Sequence, residues 1–129
     1  MNLSYTILYV QNVVRSVEFH EKAFGLTRRF VSDEKLYAEM ETGATTLSFS
    51  ANEFMRSNLG HSFTENDPTR PPAGFEIAFT TPDVPAAYAQ AVQQGATPVH
   101  GPITKPWGQT VAYVRDLDGI LVEIASPMS

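Results

Sequence analysis

The sequence predicts an α+β fold built from two βαβββ modules related by a pseudo-twofold. Two observations carry this. Each half of the chain strings together a strand-like segment, one amphipathic helix and three further strand-like segments in the same order. The punctuation of the helix also recurs: Asn12 precedes Val13 and Gly25 closes the first helix, as Asp83 precedes Val84 and Gly95 closes the second. Repetition of a whole supersecondary unit is what a duplicated fold leaves in a sequence.

The first module covers residues 1–51. TILYV is rich in strand formers, and Asn12 then offers a side-chain acceptor to the free N–H groups of a helix. Val13, Val17 and Phe24 repeat at helical spacing until Gly25, which suits the left-handed conformation of a C-terminal cap. His20 falls on the same stripe, so a packed and hydrogen-bonded imidazole is expected there. Alternating segments around LTRRFV, KLYAEM and TTLSFS follow, parted by the turn-like SDE and TGA.

The second module covers residues 75–129. FEIAFT reads as a strand, and Asp83 caps a helix whose stripe is Val84, Ala87, Tyr88, Ala91 and Val92. Strands follow in TPVH, QTVAYVR and ILVEIA, with DLDG as a tight turn between the last two. The connection, residues 52–74, is polar, contains proline and is longer than most links inside a compact domain. A lid, a dimer contact or a flexible crossover each fits it, and the whole chain, 1–129, is expected to be a single domain.

Composition narrows the chemistry. With 43% hydrophobic residues over 129 positions the chain can bury a core without covalent staples. It has no cysteine, which removes disulfides, thiolate zinc sites and cysteine nucleophiles, so a metal site would need His, Asp or Glu. MNLSYTILYVQN lacks the features of a signal peptide, and no run approaches the roughly 20 apolar residues of a membrane span, so a cytoplasmic address without membrane contact is expected. A net charge of -5 disfavours nucleic acid and mildly favours neutral or cationic ligands. Phosphate loops, H-E-x-x-H helices and G-x-S-x-G elbows do not occur, and Arg28-Arg29 is too small a basic cluster for a nucleic-acid surface.

Strand parity gives Glu123 a setting of its own. Ile120, Val122 and Ile124 share one face of the last strand, and Leu121, Glu123 and Ala125 share the other, which is half apolar. A carboxylate on such a face looks into a concavity; a paired carboxylate at a sheet edge is the plainer alternative.

The segments YTILYVQNVVRSVEFHEKAFGL, GFEIAFTTPDVPAAYAQAVQQGA and PWGQTVAYVRDLDGILVEIASP resemble the vicinal oxygen chelate superfamily, which holds glyoxalase I, bleomycin-resistance proteins, fosfomycin-resistance enzymes and extradiol dioxygenases. The resemblance implies that each module curls its mixed sheet into an open cup, with metal ligands on the inward face of its first and last strands. By position these places fall on Tyr5 and Ser48 in the first module and on Glu76 and Glu123 in the second. Members that use metal carry histidine at one or both first-strand places; this chain does not. Tyrosine, with a reference pKa of about 10, and serine are poor replacements for imidazole at neutral pH. Two carboxylates with water can still hold Mg²⁺ or Mn²⁺.

If Glu76 and Glu123 converge without a metal, desolvation and like-charge repulsion should raise at least one pKa, and the pair should titrate as a unit. The resemblance also makes Trp107 a stacking surface for flat ligands, with a plug at the sheet end or a dimer seam as its alternative. Tyr113 and Arg115, with Gln109 on the same face, are candidate rim residues, and His100 is the best histidine candidate for ligand contact. His61, in the connection, is expected at the surface.

Three functions follow. The first is a small-molecule binding protein of the bleomycin-resistance kind, homodimeric, with no tight metal site and no cofactor. The second is a divalent-metal-dependent lyase or isomerase of the glyoxalase I type, with Glu76 and Glu123 as catalytic groups or cation anchors. The third is a dimerisation or regulatory module whose cup is filled by its own side chains.

Overall fold

The computed structural model describes residues 1–128, which form two compact units meeting between Asn66 and Asp67. The first contains β1 (Tyr5–Val10), α1 (Val13–Phe24), β2 (Thr27–Val31), β3 (Tyr37–Glu41), β4 (Thr46–Ala51) and α2 (Asn52–Leu59). The second contains β5 (Glu76–Thr80), α3 (Val84–Gln93), β6 (Thr97–Thr104), β7 (Thr110–Arg115) and β8 (Leu121–Ala125). Each unit carries one open four-stranded mixed sheet, ordered β1-β4-β3-β2 and β5-β8-β7-β6, with the first and last strands paired in parallel. A parallel pair needs a long crossover. In each unit the helix and the two intervening strands supply it.

In the first sheet Leu8, Val10, Ala38, Met40, Leu47, Phe49 and Ala51 are buried on one face, against which α1 packs with Val13, Val17 and Ala23. Asn12 Oδ1 accepts the Arg15 N–H at 3.0 Å, and Gly25, at φ 69°, returns its N–H to the last turn of α1. His20 is fully buried beside Phe24 and Phe49, with Nδ1 2.8 Å from the Ser16 carbonyl. Because a carbonyl only accepts, Nδ1 carries the proton. Burial drives the imidazole pKa down to about 4, the Ser16 hydrogen bond opposing it only in part.

The second unit repeats the plan. Asp83 Oδ1 accepts the Ala86 N–H at 3.1 Å at the start of α3, and the chain leaves the helix through Gly95 at φ 112°. Ala112, Val114, Val122 and Ile124 form the buried rows under α3. In the DLDG turn, Asp116 Oδ1 accepts the N–H groups of Asp118 and Ile120, each at 2.9 Å.

Two elements differ from the sequence expectation. The connection begins with a helix, α2, whose N-cap position is Ala51 and makes no side-chain hydrogen bond; only Asn52 and Met55 are buried, too few apolar positions to show a period. Strand β6 runs to Thr104 rather than ending near His100, because bulges on either side of His100 and the residues Pro98, Gly101 and Pro102 break its alternation. No helix among the described residues is long and apolar enough to cross a membrane.

His20 makes the first unit acid-sensitive in a defined window. Its folded pKa lies below the unfolded value of 6.5, so its stabilising contribution is complete above pH 6.5 and is lost as pH falls towards 4. The loss should amount to roughly 3 kcal/mol, and His20→Phe should remove most of that pH dependence. Urea unfolding of both proteins between pH 7 and pH 4 measures it.

Candidate functional site

The register of the second sheet places the predicted residues in two adjacent rows on the face opposite α3. One row runs Glu76, Leu121, Arg115, Thr97 across β5, β8, β7 and β6, and the next runs Ala78, Glu123, Tyr113, His100. Glu76 and Glu123 are therefore diagonal neighbours, a separation their side chains span. That neighbourhood lets a protonated carboxyl of one donate to the other, the interaction that most raises the Glu76 pKa. Such a bond requires one proton between two groups that would otherwise both be acceptors.

Glu76 is raised to about 7, first by the hydrogen bond to Glu123, then by desolvation and by the charge of Glu123. Tyr113 donates its hydroxyl to Glu123 Oε1 at 3.3 Å. Desolvation, and after it the charges of Glu123 and Glu76, hold the phenol above its ordinary value.

Neither acid is in an ion pair with Lys or Arg among the described residues. The guanidinium in the same rows, Arg115, is turned elsewhere: Nε donates to Gly119 O at 2.9 Å, Nη2 to Arg70 O at 2.6 Å and Asp67 O at 3.3 Å, and Nη1 to Pro68 O at 3.5 Å. His100 lies exposed on the edge strand with Nδ1 2.7 Å from Gly101 O. Its Nε2 therefore carries the lone pair in the neutral form. Trp107 is 63% exposed in the β6–β7 turn, its Nε1 donating to Gln109 Oε1 at 3.0 Å, while Gln109 Nε2 donates to Ser126 O.

The corresponding face of the first unit is arranged differently. Tyr5 is 52% exposed on edge strand β1, whereas Ser48 is fully buried with its Oγ 3.1 Å from the Tyr37 hydroxyl oxygen. Tyr37 also reaches Glu39 Oε2 at 2.7 Å, and Arg29 bridges Glu39 at 2.8 Å and Glu41 at 2.6 Å. Glu39 pairs with Ser48 in register, the position Tyr113 holds against Glu123. Here the acids have a cation; in the second unit they do not.

Tyr37, Glu39 and Arg29 are absent from the sequence-based candidates. The alternation of KLYAEM puts Tyr37 and Glu39 on the Ser48 face and could have raised them. Arg29 reaches that face because the register shifts between Arg28 and Phe30, a bulge that alternation does not reveal.

Histidine, the usual nitrogen donor for transition metals, is missing from the rows that hold Glu76, Glu123 and Ser48 except for His100 at the sheet edge. The second unit offers the Glu76 and Glu123 carboxyls, the first the Glu39 and Glu41 carboxylates already paired with Arg29, and the described residues contain no group of three or more His, Cys, Asp or Glu able to hold a metal ion.

The family model for the Glyoxalase/Bleomycin resistance protein/Dioxygenase superfamily matches residues 2–124. The chain belongs to that superfamily. Among individual relatives, the uncharacterized protein YraH of Bacillus subtilis (strain 168) is 28% identical over 125 residues, spanning 96% of this chain and 97% of that one. Solved structures share the fold at low identity. A glyoxalase-related enzyme from Fulvimarina pelagi superposes with a TM-score of 0.85 at 18% identity, covering 98% of this chain and 88% of that one. TioX from Micromonospora sp. ML1 gives 0.72 at 21%, covering 99% and 100%.

The raised Glu76 pKa sets a pH dependence opposite in sign to that of His20. The pair stabilises fully below pH 4.5, and the benefit fades as pH rises through about 7. Glu76→Gln, which keeps a donor without the charge, should gain stability over the parent on going from pH 5 to pH 8. Both carboxyls retain contact with water, so the gain should not exceed about 1 kcal/mol. Parallel thermal melts of the two proteins at these pH values check it.

Proposed function

We propose that the protein binds a small organic ligand on the open face of its second module, with Glu123 and Glu76 as the polar anchor, Tyr113 fixing the hydrogen-bond direction, and no tightly held metal. The observation that carries the reading is the acid pair without a cation partner on a sheet face that also presents Leu121 and Tyr113. An apolar floor with a few aimed polar groups is the usual make-up of a small-molecule site. An ionised carboxylate without a counter-charge favours a ligand that brings a positive charge or several donors. Trp107 and His100 stand exposed in the same module and supply stacking and an imidazole acceptor at its margin. In the first module Tyr5 and Ser48 offer only neutral hydroxyl contacts.

A second reading, a lyase or isomerase of the glyoxalase I type, is favoured by one feature. Glu76 holds a proton near neutral pH beside a second carboxyl, the combination that general acid–base chemistry uses. In that case Glu123 would accept the substrate proton and Glu76 would return one to the neighbouring oxygen. A divalent cation, if recruited, would need further oxygen donors from substrate or water. We also propose a cytoplasmic homodimer; the exposed Val99 and Ile103 of β6, with Trp107 beyond, support a contact surface.

Calorimetry and thermal-shift screening with planar cationic compounds test the binding reading. A bound compound should lose at least about tenfold in affinity in Glu123→Gln, the usual cost of removing a charged hydrogen-bond partner. Addition of Mg²⁺, Mn²⁺, Ni²⁺ or Zn²⁺ should leave the melting temperature and that affinity unchanged. Failure of every compound, together with metal-dependent turnover of a hemithioacetal lost in Glu123→Gln, would transfer the assignment to the second reading.

A further inference from the structure

Arg115 faces the same side of the sheet as Glu76 and Glu123, in the row that also holds Glu76, and its four backbone acceptors include three carbonyls from one short segment, Asp67, Pro68 and Arg70. We propose that residues 67–70 are a latch that holds the Arg115 charge away from the Glu76–Glu123 pair, so that seating or release of this segment decides whether the site presents free or neutralised acids. The inference rests on reading that pair as the ligand anchor.

Three features support it. A guanidinium bonds more strongly to carboxylates than to neutral carbonyls. Glu76 and Arg115 stand two strand spacings apart, roughly 10 Å between backbones, a gap that these two facing side chains can close over Leu121. Arg115 nevertheless gives its donors to the latch and to Gly119 O, so the latch outcompetes the acids only while it is seated.

The seat is made by a missing side chain. A Cβ on Gly119 would lie 2.7 Å from Pro68 Cα and 2.8 Å from Pro68 N and Arg115 Nη2, and the φ of +85° disfavours any other residue there. The latch is also internally braced, with Asp67 Oδ1 accepting from Thr69 N at 2.9 Å and Thr69 Oγ1 at 2.7 Å. Pro68, Thr69 and Arg70 are exposed, so the segment is held by its backbone acceptors rather than by buried apolar surface. A segment held in that way opens at lower free energy than a packed strand.

The groups that bear on Glu76 from its sheet are Glu123 on β8, Tyr113 and Arg115 on β7 and His100 on β6. Releasing the latch changes the position of only one of them. In the ligand-free full-length protein, the Glu76 side-chain carbon can be followed by carbon-detected NMR across pH. Gly119→Ala, which unseats Pro68, should lower the Glu76 midpoint by about 1 to 3 units from its parent value, because the freed Arg115 favours the ionised form. Arg115→Gln alone should leave the midpoint near that of the parent. The double variant should restore it, which a general loosening of the turn would not do. Asp67→Ala with Thr69→Val loosens the latch without touching the β7–β8 turn and should act in the same direction if Gly119→Ala does not fold. An unchanged midpoint in a folded variant whose 67–70 amide resonances have moved would overturn the latch. So would an equal fall with Arg115→Gln present. The titration needs no ligand, so its outcome is separate from that of the binding screen.

Discussion

The parallel pairing of β5 with β8 is the constraint on which the second module depends. Parallel neighbours cannot be joined by a hairpin, so the chain must travel through α3, β6 and β7 before it returns. That journey brings Glu76 and Glu123 within one side-chain diagonal although 46 residues separate them in the chain. The alternation of β8 then decides the outcome: Val122 and Ile124 enter the core under α3, and Glu123 goes to the other face. A slip of one residue would bury the carboxylate and expose the apolar pair, a cost the register exists to avoid.

The same pairing in the first module, β1 with β4, gives a face with a different electrostatic solution. Arg29 comes through a bulge to neutralise Glu39 and Glu41, and Tyr37 ties Glu39 to Ser48. In the second module the available guanidinium is bonded to backbone carbonyls, and the proximity of Glu123 raises the Glu76 pKa to about 7. The repeated plan thus supplies two corresponding sheet faces, and a few side chains leave the acids of one paired with a guanidinium and those of the other without a cation partner. Superfamily membership fixes the scaffold that holds these surfaces and leaves their chemistry to the residues themselves.

Most of the fold was legible because its signals are local. Asn12 and Asp83 cap helices where the sequence places them, and the alternating strands fall in the predicted order. The diagonal of Glu76 and Glu123 was legible too, through parity combined with the resemblance. Helix α2 was not, since it buries too few apolar positions to mark a period. The role of Arg115 was equally hidden: its partners are main-chain carbonyls, which every residue possesses, and the close approach that selects them is set by the absence of a side chain at Gly119. Bulges hid Arg29 and the full length of β6 for a related reason, because they break the alternation from which faces are read.

The raised Glu76 pKa implies a single proton held between these two glutamates near neutral pH. Infrared spectroscopy of protein carrying ¹³C-labelled glutamate observes it directly, through the carbonyl stretch of a protonated carboxyl group. A protonated-glutamate band that persists at pH 6, fades through pH 7 to 8 and is missing from Glu76→Gln is the predicted result. A spectrum with every glutamate ionised by pH 6 would contradict the account.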